Sequence, residues 1–132
     1  SEGINFSNDL ARCVVVVGMP YPDSRDPVLQ EKMKQAERLE RLASSGNSGS
    51  TGNAGKMLYE ALCMNSVNQS IGRSIRHAGD YASILLLDKR YRQERVIKQL
   101  PTWIQSSYSD GNTLGDVTDF LKAFYANKKR CD

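Results

Sequence analysis

The residue types best suited to chemistry lie close together in Asn68–His77, NQSIGRSIRH. On a helix turning about 100° per residue, Gln69, Arg73 and Arg76 share one arc of about 60°. Val67, Ile71 and Ile75 fall on the opposite side. Such a helix buries an aliphatic face and turns one amide and two guanidiniums away from it. Two arginines one turn apart repel each other, so a phosphate or a carboxylate is needed to make the pair favourable. Guanidinium forks match phosphate oxygens bidentately and stay charged at any working pH. A glutamine beside them can orient a water or couple to a neighbouring segment. Gly72 sits next to this polar face and leaves room for another backbone or a ligand. A glycine inside a helix costs about 1 kcal/mol relative to alanine, which asks for a packing or functional reason. The plain alternative is a solvated basic face.

These residues need elements to hold them. Cys13–Val17 is almost entirely β-branched, which predicts a strand buried on both faces. Gly18 ends it, and Pro20 and Pro22 prevent further pairing. Asp26 and Pro27 read as the N-cap and first position of a helix whose apolar stripe is Leu29, Met33, Ala36 and Leu39. Ser44–Gly55, SSGNSGSTGNAG, is expected to be a flexible loop. A long helix is expected from about Lys56 to His77, with Gly79 ending it and His77 favourable at its C-terminus. Tyr81–Leu87 reads as a second buried strand. Two helical segments follow, about Glu94–Tyr108 with Pro101 as a candidate kink, and about Leu114–Asn127. Asp110-Gly111-Asn112 forms the turn between them.

Strands separated by helices predict an α/β domain with a parallel sheet. Two strands do not make a stable open sheet. Further N-terminal strands are therefore expected outside this sequence, which begins at Ser1 and reads as a piece of a longer protein.

Composition narrows the class less sharply. With 132 residues, 39% hydrophobic and 25% charged, the chain holds one globular domain at most. A net charge of +3 is compatible with nucleic acid but too small to argue for it. Lys128, Lys129 and Arg130 read first as a solvated tail. Cys13, Cys63 and Cys131 have no metal-ligand spacing and fit a reducing compartment. The longest aliphatic run, Val14–Val17, is far too short to cross a bilayer, and no membrane partner is expected. Gly49–Met57 imitates a phosphate loop but puts Ser50 where the first glycine belongs and Met57 where the magnesium-binding hydroxyl belongs. Cys63 and Trp103 are expected in the core, and Asp88 with Arg90 as a salt bridge or cap.

Gln69-x-x-Gly72-Arg73-x-x-Arg76 resembles the sixth motif of superfamily 2 helicases. Ser1-Glu2-Gly3-Ile4-Asn5-Phe6 resembles the fifth motif of the XPD-like group. Three further stretches look like the same group: Gly18-Met19-Pro20-Tyr21-Pro22, Asp88-Lys89-Arg90-Tyr91 and Leu100-Pro101-Thr102-Trp103-Ile104. Leu62-Cys63-Met64, Val67–Arg73 and Asn5 look most like its ChlR (cohesion-linked) branch. The resemblance covers the whole chain except the Ser44–Gly55 loop.

The resemblance implies that residues 1–132 are the C-terminal portion of the second, RecA-like motor domain of an iron–sulfur DNA helicase. ATP with Mg2+ would be shared with the first motor domain. Arg73 and Arg76 would stabilise charge on the transferring phosphoryl group, and Gln69 would organise its γ-phosphate side. Glu2, Gly3, Asn5 and Gly72 would line the nucleotide site. It further implies 5′-to-3′ movement on single-stranded or forked DNA, nuclear localisation, and cohesion or repair proteins as partners. A [4Fe–4S] cluster would be ligated in the other half of the protein, by none of these three cysteines. The alternative is a catalytically inactive helicase-like docking module for cohesion or repair proteins. In either case the isolated segment is expected to be inactive, with half of the site elsewhere.

Overall fold

The structure, a computed structural model, describes residues 12–44, 52–75, 80–111 and 113–128. Strand β1, Cys13–Val17, pairs in parallel with β2, Ser83–Leu87, from Cys13 opposite Ser83 to Val17 opposite Leu87. Helices α1, Pro27–Ala43, and α2, Ala54–Ile71, form the crossover between them. After β2 come a single 3₁₀ turn, Lys89–Arg92, and three helices: α3, Glu94–Ile97; α4, Thr102–Gln105; and α5, Leu114–Lys128. The chain divides into two compact units, Ser1–Leu100 and Pro101–Asp132. Among the described residues no helix is long and apolar enough to cross a membrane.

The core of the first unit is built on α2. Cys63, Met64, Val67 and Ile71 are buried along one side of it, with Met19, Leu29, Tyr91, Val96 and Leu100 also buried. β1 was expected to be covered on both faces, and it is covered on one. Val14 and Val16 are half-buried, whereas Val15 is exposed and Val17 is 79% exposed. A parallel sheet is buried on both faces only when helices cover both. The described helices cover the even-numbered face.

α1 starts as its sequence predicts: the Asp26 carboxylate accepts from the Val28 N–H at 2.8 Å, with Pro27 in the first turn. Its stripe is different. Leu29, Met33 and Ala36 turn inward, but Leu39 is exposed. Leu39 stands about 80° around the helix from Leu29, whereas Glu40 stands within about 20° of it. Glu40 has a partner there, because its carboxylate accepts from the Ala54 N–H at 3.1 Å. An acidic side chain of α1 thus caps the positive end of α2, where Asn53 supplies no side-chain cap.

α2 begins two residues earlier than expected. Ala54 and Gly55, read as loop, are helical, while residues 45–51 of that loop lie outside the described residues. Gly55 is buried against α1, where a Cβ would come within 3.2 Å of the Met33 carbonyl oxygen. The other end is a larger correction: α2 stops at Ile71, six residues before His77. His77 and Gly79 lie outside the described residues.

The segment expected as one helix over Glu94–Tyr108 is two short helices. Pro101 lies between them in extended backbone, φ −54° and ψ 141°, and has no N–H to continue α3. Trp103, expected in the core, is 49% exposed. On the four-residue α4 it is Ile104, about 100° further round, that is buried. α5 opens with a reciprocal cap in which Thr113 Oγ1 accepts from Asp116 N and Asp116 Oδ2 accepts from Thr113 N, at 3.1 and 3.0 Å.

Candidate functional site

The end of α2 explains where the candidate residues stand. Ser66 and Ser70 donate their hydroxyls back to the carbonyls of Leu62 and Ser66, at 3.3 and 2.9 Å. Such bonds compete with helical continuation. Gly72 then serves as C-cap, its N–H directed at the Asn68 and Ser70 carbonyls. The chain tightens: Ser74 N and Ser74 Oγ both donate to the Ile71 carbonyl, at 3.0 and 2.7 Å.

Arg73 therefore does not share a helical face with Gln69. Gln69 is exposed on the last turn of α2, and Arg73 lies half-buried in the turn beyond it. The common arc read from the sequence assumed a helix that serine and glycine end first. The backbone of Arg73 is nevertheless flanked by buried residues, Ile71 and Ser74, the latter only 2% exposed. Arg76, Glu2, Gly3 and Asn5 lie outside the described residues.

Gly72 reads differently in this setting. It is not inside a helix, and its φ of −63° and ψ of −9° suit any residue. Among the described residues a Cβ there would meet the carbonyls of its own helix, Asn68 at 3.4 Å and Gln69 at 3.8 Å. Gly72 itself is exposed.

Because β1 and β2 run parallel, the chain enters both strands at the same edge of the sheet. Two residues that the motif reading passed over meet there. Arg12 Nη1 lies 2.7 Å from Asp80 Oδ1 and 3.1 Å from the Tyr81 carbonyl, to which it also donates. The Arg12 guanidinium covers the Tyr81 ring at 4.0 Å. Opposite charges just ahead of two apolar runs were the only available signal, and the register needed to read it is tertiary.

Two of the other family-like stretches, Gly18–Pro22 and Asp88–Tyr91, gather at the opposite edge. Gly18, in the left-handed region at φ 73°, donates its N–H to the Leu87 carbonyl at 3.1 Å. Tyr91 Oη donates to the Gly18 carbonyl at 3.0 Å. Asp88 takes two bonds from the Arg90 guanidinium, at 2.9 and 2.7 Å, and caps the 3₁₀ turn through Arg90 N. These bonds, chiefly the side-chain ones, pull the Asp88 carboxyl down to about 2. Arg90 lies 5.4 Å over the Tyr21 ring, which stacks on Tyr59 at 4.9 Å. This edge is internally satisfied and reads as a clamp on the strand ends.

A polar relay ties α2 to the segment after β2. Asn68 Nδ2 donates to the Gln99 carbonyl, Gln99 Nε2 donates to Glu60, and Arg95 pairs with Glu60 at 3.3 Å. Among the described residues, no three His, Cys, Asp or Glu side chains gather as a metal site. Cys63 is buried in the core, which pushes its thiol up, and Cys13 is exposed on β1. These two do not fit an iron–sulfur cluster, which takes four protein ligands.

A family model described as the helicase C-terminal domain matches residues 1–107. The chain belongs to that family. It is 47% identical over 130 residues to the ATP-dependent DNA helicase DDX11 of Danio rerio, covering 98% of this chain and 14% of that protein. It is 44% identical over 132 residues to the ATP-dependent DNA helicase chl1 of Schizosaccharomyces pombe, covering 100% of this chain and 15% of that protein. For the CHL1 helicase of Eremothecium gossypii the values are 36% over 128 residues, 97% and 16%. The chain thus spans about one-seventh of the length of these relatives. The likeness to the chl1-type branch expected from the residues around α2 is borne out, as is the α/β class with parallel strands and helical crossovers, part of a RecA-like motor domain. The relatives' similarity continues through α5, whereas the family match stops at residue 107.

Proposed function

We propose that this chain is the C-terminal portion of the second motor domain of an ATP-dependent DNA helicase, supplying the arginine side of its ATP site. The observation that carries this is the turn after α2, where Arg73 stands between buried Ile71 and buried Ser74 beside an exposed Gly72. Such anchoring fixes the backbone from which the Arg73 guanidinium would reach a phosphate. The names of the relatives, ATP-dependent DNA helicases, agree with it.

On this reading ATP binds between this domain and a first motor domain that carries the phosphate loop. Arg73 and Arg76 stabilise the charge that develops on the transferring phosphoryl group. An arginine finger contributes about 10³–10⁵ in rate. Gln69 organises the γ-phosphate side, while Glu2, Gly3, Asn5 and Gly72 line the nucleotide. Mg2+ would neutralise charge on the phosphates, with its protein ligands supplied by the first motor domain. The same reading extends to 5′-to-3′ movement on single-stranded or forked DNA, to a nuclear setting, to cohesion or repair proteins as partners, and to an iron–sulfur cluster held elsewhere in the protein.

The test is DNA-stimulated ATP hydrolysis by the full-length protein. Arg73→Ala and Arg76→Ala should each lower turnover by about a hundredfold or more, with folding and DNA binding retained. Absence of DNA-stimulated hydrolysis in the wild type would sink the motor reading and leave a docking module.

A further inference from the structure

We propose that the 3₁₀ turn after β2 is a backbone-phosphate contact for single-stranded nucleic acid, made by Lys89 and Arg92. This rests on the motor reading above and deepens it, because the ATP site makes no use of the Asp88–Tyr91 stretch. The turn spans Lys89–Arg92 and stands at the carboxyl ends of the parallel strands. In open α/β sheets ligands bind outside that end.

The turn sorts its four side chains. Tyr91 is 2% exposed, and its phenol donates to the Gly18 carbonyl. Arg90 is held by two bonds to Asp88 and lies over the Tyr21 ring. Lys89 and Arg92 are both exposed. In a 3₁₀ turn side chains three residues apart eclipse each other, and the rise is about 2 Å per residue. Lys89 and Arg92 therefore stand on one side of the turn, about 6 Å apart along its axis. The backbone that presents them is closed at both ends. Arg90 N donates to Asp88 Oδ1 at 2.9 Å, and Gln93 N donates to the Arg90 carbonyl at 3.1 Å. Two cations on one side repel each other, and a run of phosphates relieves that repulsion.

The distribution of charge agrees. Asp88–Lys98 holds five cations, Lys89, Arg90, Arg92, Arg95 and Lys98, against the carboxylates of Asp88 and Glu94. That surplus equals the net +3 of the whole chain, so the rest of the sequence is neutral as a whole. Arg95 pairs with Glu60 and Lys98 with Glu94, but these two cations are 70% and 69% exposed. Such exposed pairs are weak and can yield to a phosphate. Cations that neutralise phosphates fix a strand without reading its bases, as a motor that passes every sequence requires. A phosphate recurs at each nucleotide and meets the two cations in any register, which scattered carboxylates of a peptide do not.

The experiment uses the full-length protein and a labelled thymidine oligonucleotide, with affinity read by fluorescence anisotropy from about 50 to about 200 mM salt. Lys89→Ala and Arg92→Ala should each weaken binding and lower the slope of log affinity against log salt by about 0.7, and the double variant by about twice that. The loss should be the same on an oligonucleotide of mixed sequence. Arg92→Lys keeps the charge and should keep the slope. Lys34→Ala, which removes an exposed cation of α1, should leave it unchanged. Circular dichroism confirms that each variant is folded. A double variant with wild-type slope and affinity overturns the proposal, as does an equal loss in Lys34→Ala, which would reduce the effect to overall charge. Lost binding of polyglutamate with the DNA slope intact would assign the turn to an acidic protein and overturn it too. A wild type that neither binds the oligonucleotide nor hydrolyses ATP in its presence rejects the motor reading itself. A wild type that does both, beside an unchanged double variant, rejects this contact alone.

Discussion

The phenol of Tyr91 donates a 3.0 Å hydrogen bond to the carbonyl of Gly18, joining the residue just past β1 to the turn just past β2. Gly18 can take that position because its φ is 73°, and its N–H continues the ladder onto the Leu87 carbonyl. The bond closes the carboxyl edge of the sheet as Arg12 and Asp80 close the amino edge. Two strands of five residues are thereby held at both ends.

Tyr91→Phe should cost about 1–3 kcal/mol, because the ring still fills its site while the Gly18 carbonyl loses its donor. Burial pushes the Tyr91 phenol up to about 12, above its ordinary 10.0. A raised value contributes stability that is complete below the unfolded pKa and is lost as pH rises through the folded one. The wild type should therefore lose stability between pH 10 and 12 more steeply than Tyr91→Phe. Chemical denaturation at a series of alkaline pH values would show equal slopes if the phenol carried no such linkage.

Asp88 gives the opposite sign. The Arg90 guanidinium and N–H hold its carboxyl at about 2, below the ordinary 3.8. Its contribution is present above the unfolded value and lost as pH falls through the folded one. Asp88→Asn should flatten the acid limb of the stability curve between about pH 4 and pH 2 and leave its slope near neutrality unchanged. Acid titration of the two proteins, followed by circular dichroism, checks this, and superimposable acid limbs would refute it.

Gly72→Ala separates fold from function. At φ −63° alanine is unstrained, and the substitution should leave stability unchanged or raise it by about 0.4–1 kcal/mol through the unfolded chain. If the exposed face of Gly72 is where the nucleotide site comes close, ATP hydrolysis by the full-length protein should fall all the same. A variant that is as stable and as active as the wild type would remove Gly72 from the site.

Much of this was legible in the sequence for one physical reason: it depends on residues a few positions apart. The Asp26 cap acts on Val28, two residues on, and Asp88 grips Arg90 at the same spacing. The β-branched run of β1 and the aliphatic run of β2 declared themselves as strands, and Cys63 declared itself as core. The motif residues carried the family on their own, by type and order, and the family match includes them.

What only the tertiary structure decided depends on groups far apart in the chain or on a balance between close alternatives. Periodicity carried α2 through to His77, whereas serine back-bonds and the Gly72 cap end it at Ile71 and take Arg73 off the helical face of Gln69. The Ala54 N–H draws Glu40 inward, and the roll of α1 that allows it leaves Leu39, expected in the apolar stripe, exposed. Arg12 and Asp80, separated by 68 positions, became a pair only through the parallel register of β1 and β2. Local chemistry chose the elements of this chain, and the packing of those elements chose which charges meet.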